Sequence, residues 1–95
     1  MKLFKTVDDR FEEIGFKKIE ESYIFIRYQR YNEKYKYTQT LDLCHKATGK
    51  HIAYSCDNDL SDQKNIGNTC VGLTMYEMKL CIKKMRKMGW KMIKE

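Results

Sequence analysis

LTMYEMKLCIKKMRKMGW, residues 73–90, contains both ends of a helix and the pattern of its faces, and the rest of the chain can be read outward from it. Thr74 and Glu77 have capping-box spacing, so each side chain can satisfy a backbone N–H that the helix start leaves open. Leu73 and Met78 occupy the flanking positions of a hydrophobic staple, which sets the angle at which the chain joins the helix. At the far end Gly89 suits the left-handed C′ position, and Trp90 is placed to fold back on Met85 as in a Schellman motif. Met75, Met78, Cys81, Ile82, Met85 and Met88 recur at three- and four-residue spacings, which predicts one apolar face toward the core. The opposite surface then carries Lys79, Lys83, Lys84, Arg86 and Lys87.

The same ending occurs earlier. I-G-F-K-K-I at 14–19 parallels M-G-W-K-M-I at 88–93, one capping solution used twice rather than an internal repeat. It closes a first helix over Val7–Ile14. Thr6 is its cap, Asp8, Asp9, Glu12 and Glu13 suit its positive end and outer face, and Val7, Phe11 and Ile14 share a side. Gly15 ends it, with Phe16 set to return to Phe11.

Between the helices four strands are expected: Phe16–Glu20, Tyr23–Tyr31, Tyr35–Lys46 and Lys50–Cys56. In the second, Ile24, Ile26 and Tyr28 point one way, and Tyr23, Phe25, Arg27 and Gln29 the other. In the third, Tyr37, Gln39, Leu41 and Leu43 oppose Lys36, Thr38, Thr40 and Asp42; in the fourth, Ile52, Tyr54 and Cys56 form the apolar face. Asn32-Glu33-Lys34 reads as a turn, and Ala47-Thr48-Gly49 closes a hairpin. A two-residue Thr48-Gly49 loop aligns Leu43 with Tyr54 and joins the apolar sets, whereas a three-residue loop shifts the pairing by one. The pattern favours the first and the Thr-Gly-Lys chemistry the second. Asp57–Gly72 is a long polar connection of a length often functional or mobile.

The expected architecture is one α+β domain over residues 1–95, α-β-β-β-β-α, an antiparallel four-stranded meander with helices packed on one face. The far face, where Tyr23, Phe25 and Arg27 interleave with Lys36 and Thr38, is either an interface or is covered by Leu3, Phe4 or the long loop.

The net charge is +6, and seven Lys/Arg against Glu77 and Glu95 place +5 of it between Thr74 and Glu95. That patch would attract phosphates, acidic proteins or anionic lipid, or serve only to solvate the helix. The opening residues lack an apolar run of signal length, no stretch approaches a membrane span, and the address expected is the cytoplasm. Cys44, Cys56, Cys70 and Cys81 then read as thiols, Cys81 as a small core residue.

Cys44, His45, His51 and Cys56 flank one hairpin, but their spacing lacks the close pairs of a zinc site, and neighbours 44 and 45 point to opposite faces. Asp57, Asp59, Ser61 and Asp62 resemble the start of a calcium loop, yet Asp62 stands where glycine is needed and Asn68 where a bidentate glutamate is needed. Cys44 with His51, or Cys56 with His45, lacks a glycine-rich turn or helix start to activate a thiol. No metal, cofactor, small-molecule substrate or catalytic set is therefore expected. Arg27, Tyr28, Arg30, Tyr31, Lys34, Tyr35, Lys36 and Tyr37 alternate cations with aromatics around one turn, a composition suited to phosphates and stacked bases. No RNP motif, helix-turn-helix spacing or zinc finger accompanies it.

F-E-E-I-G-F at 11–16, tyrosine-rich strands, L-T-x-x-E at 73–77 and the Gly89-Trp90 ending resemble small uncharacterised proteins of bacterial prophages and mobile elements. The resemblance implies a small accessory protein without an assigned reaction. The function expected is a non-enzymatic binding protein of phage type. Its partner would be nucleic acid or an acidic protein, met through Lys79, Lys83, Arg86 and Lys87 or through Arg27, Arg30, Tyr31, Lys34 and Lys36. The alternative is a homo-oligomeric interaction module using the open sheet face, its lysines serving solubility.

Overall fold

Both described helices end in the same hydrogen-bonded motif. The computed structural model describes residues 4–46, 51–57 and 69–90. In it, helix α1 (Val7–Glu13) is closed by Gly15 N–H to Glu12 O (3.0 Å) and Phe16 N–H to Phe11 O (2.9 Å). Helix α2 (Met75–Lys87) is closed by Gly89 N–H to Arg86 O and Trp90 N–H to Met85 O, both 3.0 Å. This is the Schellman pattern. It needs a left-handed residue, and the glycines supply φ of +94° at Gly15 and +81° at Gly89. Both starts are capping boxes, Thr6 with Asp9 and Thr74 with Glu77. The counterpart endings Lys91–Ile93 lie outside the described residues.

Between the helices run β1 (Lys17–Glu21), β2 (Phe25–Asn32), β3 (Tyr37–His45), β4 (His51–Asp57) and β5 (Thr69–Cys70). They form one antiparallel sheet in sequence order. The meander is the one expected, with a fifth short strand added. The far end of the 57–72 connection pairs with β4, Cys56 opposite Cys70 and Asp57 opposite Thr69. The remainder of that connection, 58–68, including the calcium-like Asp59–Asp62 segment, lies outside the described residues. So do Leu3 and the turn at 47–50.

The alternation read in β2 and β3 holds where it matters. Ile26 and Tyr28, with Leu41 and Leu43, are buried on the face that the helices cover. Ile24 is exposed instead, because β2 begins only at Phe25 and Ser22–Phe25 form a hydrogen-bonded bend ahead of it. In β4 the register departs from the pattern-favoured alternative: Leu43 pairs with Ala53, not Tyr54, and Leu41 pairs with Ser55. Since side chains alternate, Ala53 and Ser55 face inward and Ile52 and Cys56 outward. A polar contact accounts for the choice. Gln39 Nε2 donates to Ser55 Oγ at 2.7 Å inside the sheet-helix layer, which fixes Ser55 on the inner face.

Val7, Phe11, Phe16, Ile26, Tyr28, Leu41, Leu43, Leu80, Cys81 and Trp90 make the core, with Ile14, Leu73, Met85 and Met88 packed at its margin. Phe11 stacks on Tyr28 (centroids 4.2 Å apart) and meets Phe16 edge-on (5.9 Å).

The roll of α2 differs from the simple stripe. Glu77, Leu80, Cys81 and Lys84 are its buried residues, whereas Met75 is 69% exposed, Met78 40% and Ile82 39%. The apolar side chains of this helix cover more than half its circumference, so only part of them can face the sheet. Ion pairs decide which part. Glu77 Oε2 pairs with Arg30 at 2.9 Å. Lys84, expected on the solvent side, bridges Asp8 of α1 (3.1 Å) and Glu21 of β1 (2.8 Å). Lys18 joins the same pair of carboxylates, at 2.9 and 3.2 Å, and the Tyr28 hydroxyl donates to Asp8 at 2.6 Å.

This cluster makes the fold acid-sensitive in a defined direction. Burial alone would push the Asp8 carboxyl up, but bonds from Tyr28, Lys18 and Lys84 together outweigh it and hold it below 3.8. The bond from Lys84, against a smaller burial effect, holds Glu21 below 4.5. Carboxyls depressed by folding contribute stability above their ordinary values and lose it as pH falls through the folded ones. A urea titration series should therefore show the unfolding midpoint dropping as pH is lowered from about 5 to below 3.8. The drop should be smaller in an Asp8→Asn, Glu21→Gln variant. A variant with an undiminished drop would place the acid sensitivity elsewhere.

Candidate functional site

The two cationic regions marked by the sequence are treated very differently by the fold. In the hairpin of β2 and β3, Arg27 is opposite Asp42 in register and holds it through two bonds, Nε to Oδ1 at 2.8 Å and Nη2 to Oδ2 at 3.1 Å. Its guanidinium also lies 5.2 Å from the Phe25 ring centroid. Arg30 points inward. It donates to Ile14 O (3.1 Å) and Gln39 Oε1 (2.8 Å), pairs with Glu77, and sits 4.2 Å over the Phe16 ring. Glu77, Arg30, Gln39 and Ser55 thus form one polar chain that ties the N-terminus of α2 to the end of α1, the start of β3 and the end of β4. Arg30 is a cross-brace of the fold.

What the hairpin leaves accessible is its tip. Tyr31 and Tyr35 are exposed, and the Lys34 ammonium lies 5.3 Å from the Tyr35 ring centroid. Asn32 Oδ1 accepts from Tyr35 N–H at 3.0 Å, and Lys36 closes the turn with a left-handed φ of +54°. The central outer sheet face is polar-paired by Arg27–Asp42 and by Gln29 Nε2 to Thr40 Oγ1 at 3.2 Å.

On α2, Lys79, Lys83, Arg86 and Lys87 are all exposed. They converge because α2 is held by its other side: Leu80, Cys81 and Lys84 go inward, and residues three and four apart share the outer ridge. No described carboxylate forms an ion pair with any of the four. The only acid in the helix, Glu77, is buried and occupied. The cations also crowd the C-terminal half, where the helix dipole favours them. Alongside this ridge runs a second exposed row, Met75, Met78 and Ile82, which the simple periodicity had assigned to the core.

The register of β3 and β4 places two cysteines and one histidine of the hairpin. Cys44 and Cys56 lie on the outer face of the sheet, while His45 faces inward and stacks on Trp90 with centroids 5.3 Å apart. Among the described residues, no three His, Cys, Asp or Glu side chains gather as a metal would need. Burial, then Asp42, raises the Cys44 thiol above its ordinary value. Burial, then Glu77, pushes Cys81 up to about 12. Both effects favour the thiol over the nucleophilic thiolate.

The Lys84–Asp8–Lys18–Glu21 cluster and the Glu77–Arg30–Gln39–Ser55 chain had no signal in the sequence. Their members are distant along the chain and carry no spacing motif. Among the described residues no helix is long and apolar enough to cross a membrane. Comparison with protein-family models, with curated proteins and with solved structures finds no significant match.

Proposed function

We propose that this α+β protein is a non-enzymatic accessory or regulatory binding protein of phage type. It would work in the cytoplasm and meet an anionic partner through the outward side of α2. The observation that carries the reading is the electrostatic asymmetry of that helix. Lys84 is neutralised by Asp8 and Glu21 on the inner side, while Lys79, Lys83, Arg86 and Lys87 stand exposed with no described carboxylate beside them. Cations held on a rigid, capped helix form a fixed positive patch, which steers and retains anionic surfaces. The hairpin supplies less, since Arg27 and Arg30 already have internal partners.

The test is a fluorescence-anisotropy titration with labelled single- and double-stranded DNA, RNA and an acidic polyglutamate peptide at several salt concentrations. A variant with Lys83→Glu, Arg86→Glu and Lys87→Glu is run beside the native chain. Binding of at least one polyanion is expected to weaken steeply as salt rises and to collapse in the variant. Binding that survives the variant would move the contact to the Lys34–Lys36 hairpin tip. An absence of binding at low salt, together with salt-insensitive self-association, would favour the homo-oligomeric module instead.

A further inference from the structure

Building on the anionic-partner reading of α2, we infer that the partner is an acidic amphipathic helix of another protein, docked along the methionine row. Met75, Met78 and Ile82 follow one another at i, i+3 and i+7. This is the spacing by which one helix offers apolar anchors to another. They are 69%, 40% and 39% exposed, although the same helix buries Leu80 and Cys81 almost completely. Methionine side chains are flexible and polarizable, so such a row adapts to an incoming apolar surface.

Beside the row stand Lys79 and Lys83, each one residue on from Met78 and Ile82, with Arg86 one turn beyond Ile82. A partner helix lying on the row would bring one of its flanks against them. Charge selects the occupant. A second copy of this chain would place cationic ridges against each other, with no described acid on the outer face of either helix to relieve them. A nucleic acid would satisfy the cations but leave the three apolar side chains against a phosphate backbone. An acidic amphipathic helix meets both rows at once. From Met75 to Arg86 the surface is about 16 Å long at 1.5 Å per residue, which a partner of roughly three turns would cover.

The experiment selects peptides of about 14 residues, enough to span that length, from a random mRNA-displayed library on the immobilised full chain. The enriched peptides are then synthesised and titrated against two variants. One carries Met75→Gln, Met78→Gln and Ile82→Gln; the other carries Lys79→Glu and Lys83→Glu. All substituted positions are exposed, and circular dichroism checks that both variants keep the native helix content. The expected peptides have apolar residues at i, i+3 or i+4, and i+7, with Asp or Glu between them. Each variant should weaken them by roughly tenfold or more, or at least 1.4 kcal/mol.

No enrichment, or enriched peptides indifferent to the apolar variant, would overturn the inference. A labelled DNA duplex titrated in parallel separates that failure from failure of the anionic-partner reading. Duplex binding lost in the lysine variant but kept in the apolar one, without peptide enrichment, would sink the helix partner and leave the anionic face intact. Peptide and duplex binding both unmoved by the lysine variant would sink both.

Discussion

Replacing Trp90 with alanine is expected to lower the stability of the fold by roughly 3–5 kcal/mol, the range for truncating a buried large aromatic. Trp90 is 2% exposed although it follows the last turn of α2. Its backbone N–H closes the Schellman motif on Met85 O at 3.0 Å. Its indole Nε1–H donates to Tyr23 O at 2.8 Å, and its ring stacks on His45 at 5.3 Å between centroids. One side chain therefore joins the end of α2 to the bend before β2 and to the end of β3. Urea unfolding followed by circular dichroism would measure the loss. Trp90→Phe separates the contributions: it refills much of the volume but leaves the Tyr23 carbonyl without its donor, for an expected cost of about 1–2 kcal/mol. An unchanged midpoint for Trp90→Ala would refute the role of Trp90 as the lock of α2.

Arg30→Ala should be comparably damaging, at roughly 3–5 kcal/mol, because it removes one partner of an ion pair whose other member stays inside. The Glu77 side chain is 6% exposed and would keep only its bond to the Thr74 N–H, at 2.9 Å. Gln39 Oε1 and Ile14 O would also lose their donor, and Phe16 the guanidinium above it. Arg30→Lys should recover only part of the loss, since a single ammonium cannot reach three acceptors with the spread of a guanidinium. Anion binding measured on whatever folded protein remains should match the native chain. A stable Arg30→Ala protein with weakened binding would reverse the assignment and return Arg30 to the contact surface.

The two basic regions show how far composition carries a functional reading. Arg27, Arg30, Lys34, Lys36 and the interleaved tyrosines look like one cationic-aromatic surface along the chain. A strand, however, sends neighbouring residues to opposite faces. Arg27 goes outward to Asp42, Arg30 inward to Glu77, Tyr28 into the core, and only the tip residues stay available. On α2 the same kind of composition survives folding, because a helix keeps i, i+3, i+4 and i+7 on one side. Lys84 is the exception, drawn inward by carboxylates contributed by α1 and β1.

Local rules are legible in the sequence itself. Thr6, Gly15, Thr74 and Gly89 mark where helices start and stop because capping depends on a few consecutive residues and their backbone geometry. The period-two pattern of Ile26, Tyr28, Leu41 and Leu43 identifies the buried face of β2 and β3 for the same reason. Three things were decided by tertiary contacts: the register of β4, the entry of Thr69–Cys70 into the sheet, and the roll of α2. Each is a choice among alternatives that local patterning leaves nearly equal. Gln39 meeting Ser55, Glu77 meeting Arg30, and Lys84 meeting Asp8 and Glu21 break that near-equality, because a buried polar or charged group without its partner is costly. The same choices turn Met75, Met78 and Ile82 outward beside Lys79, Lys83 and Arg86, so the surface proposed to bind is a product of the packing.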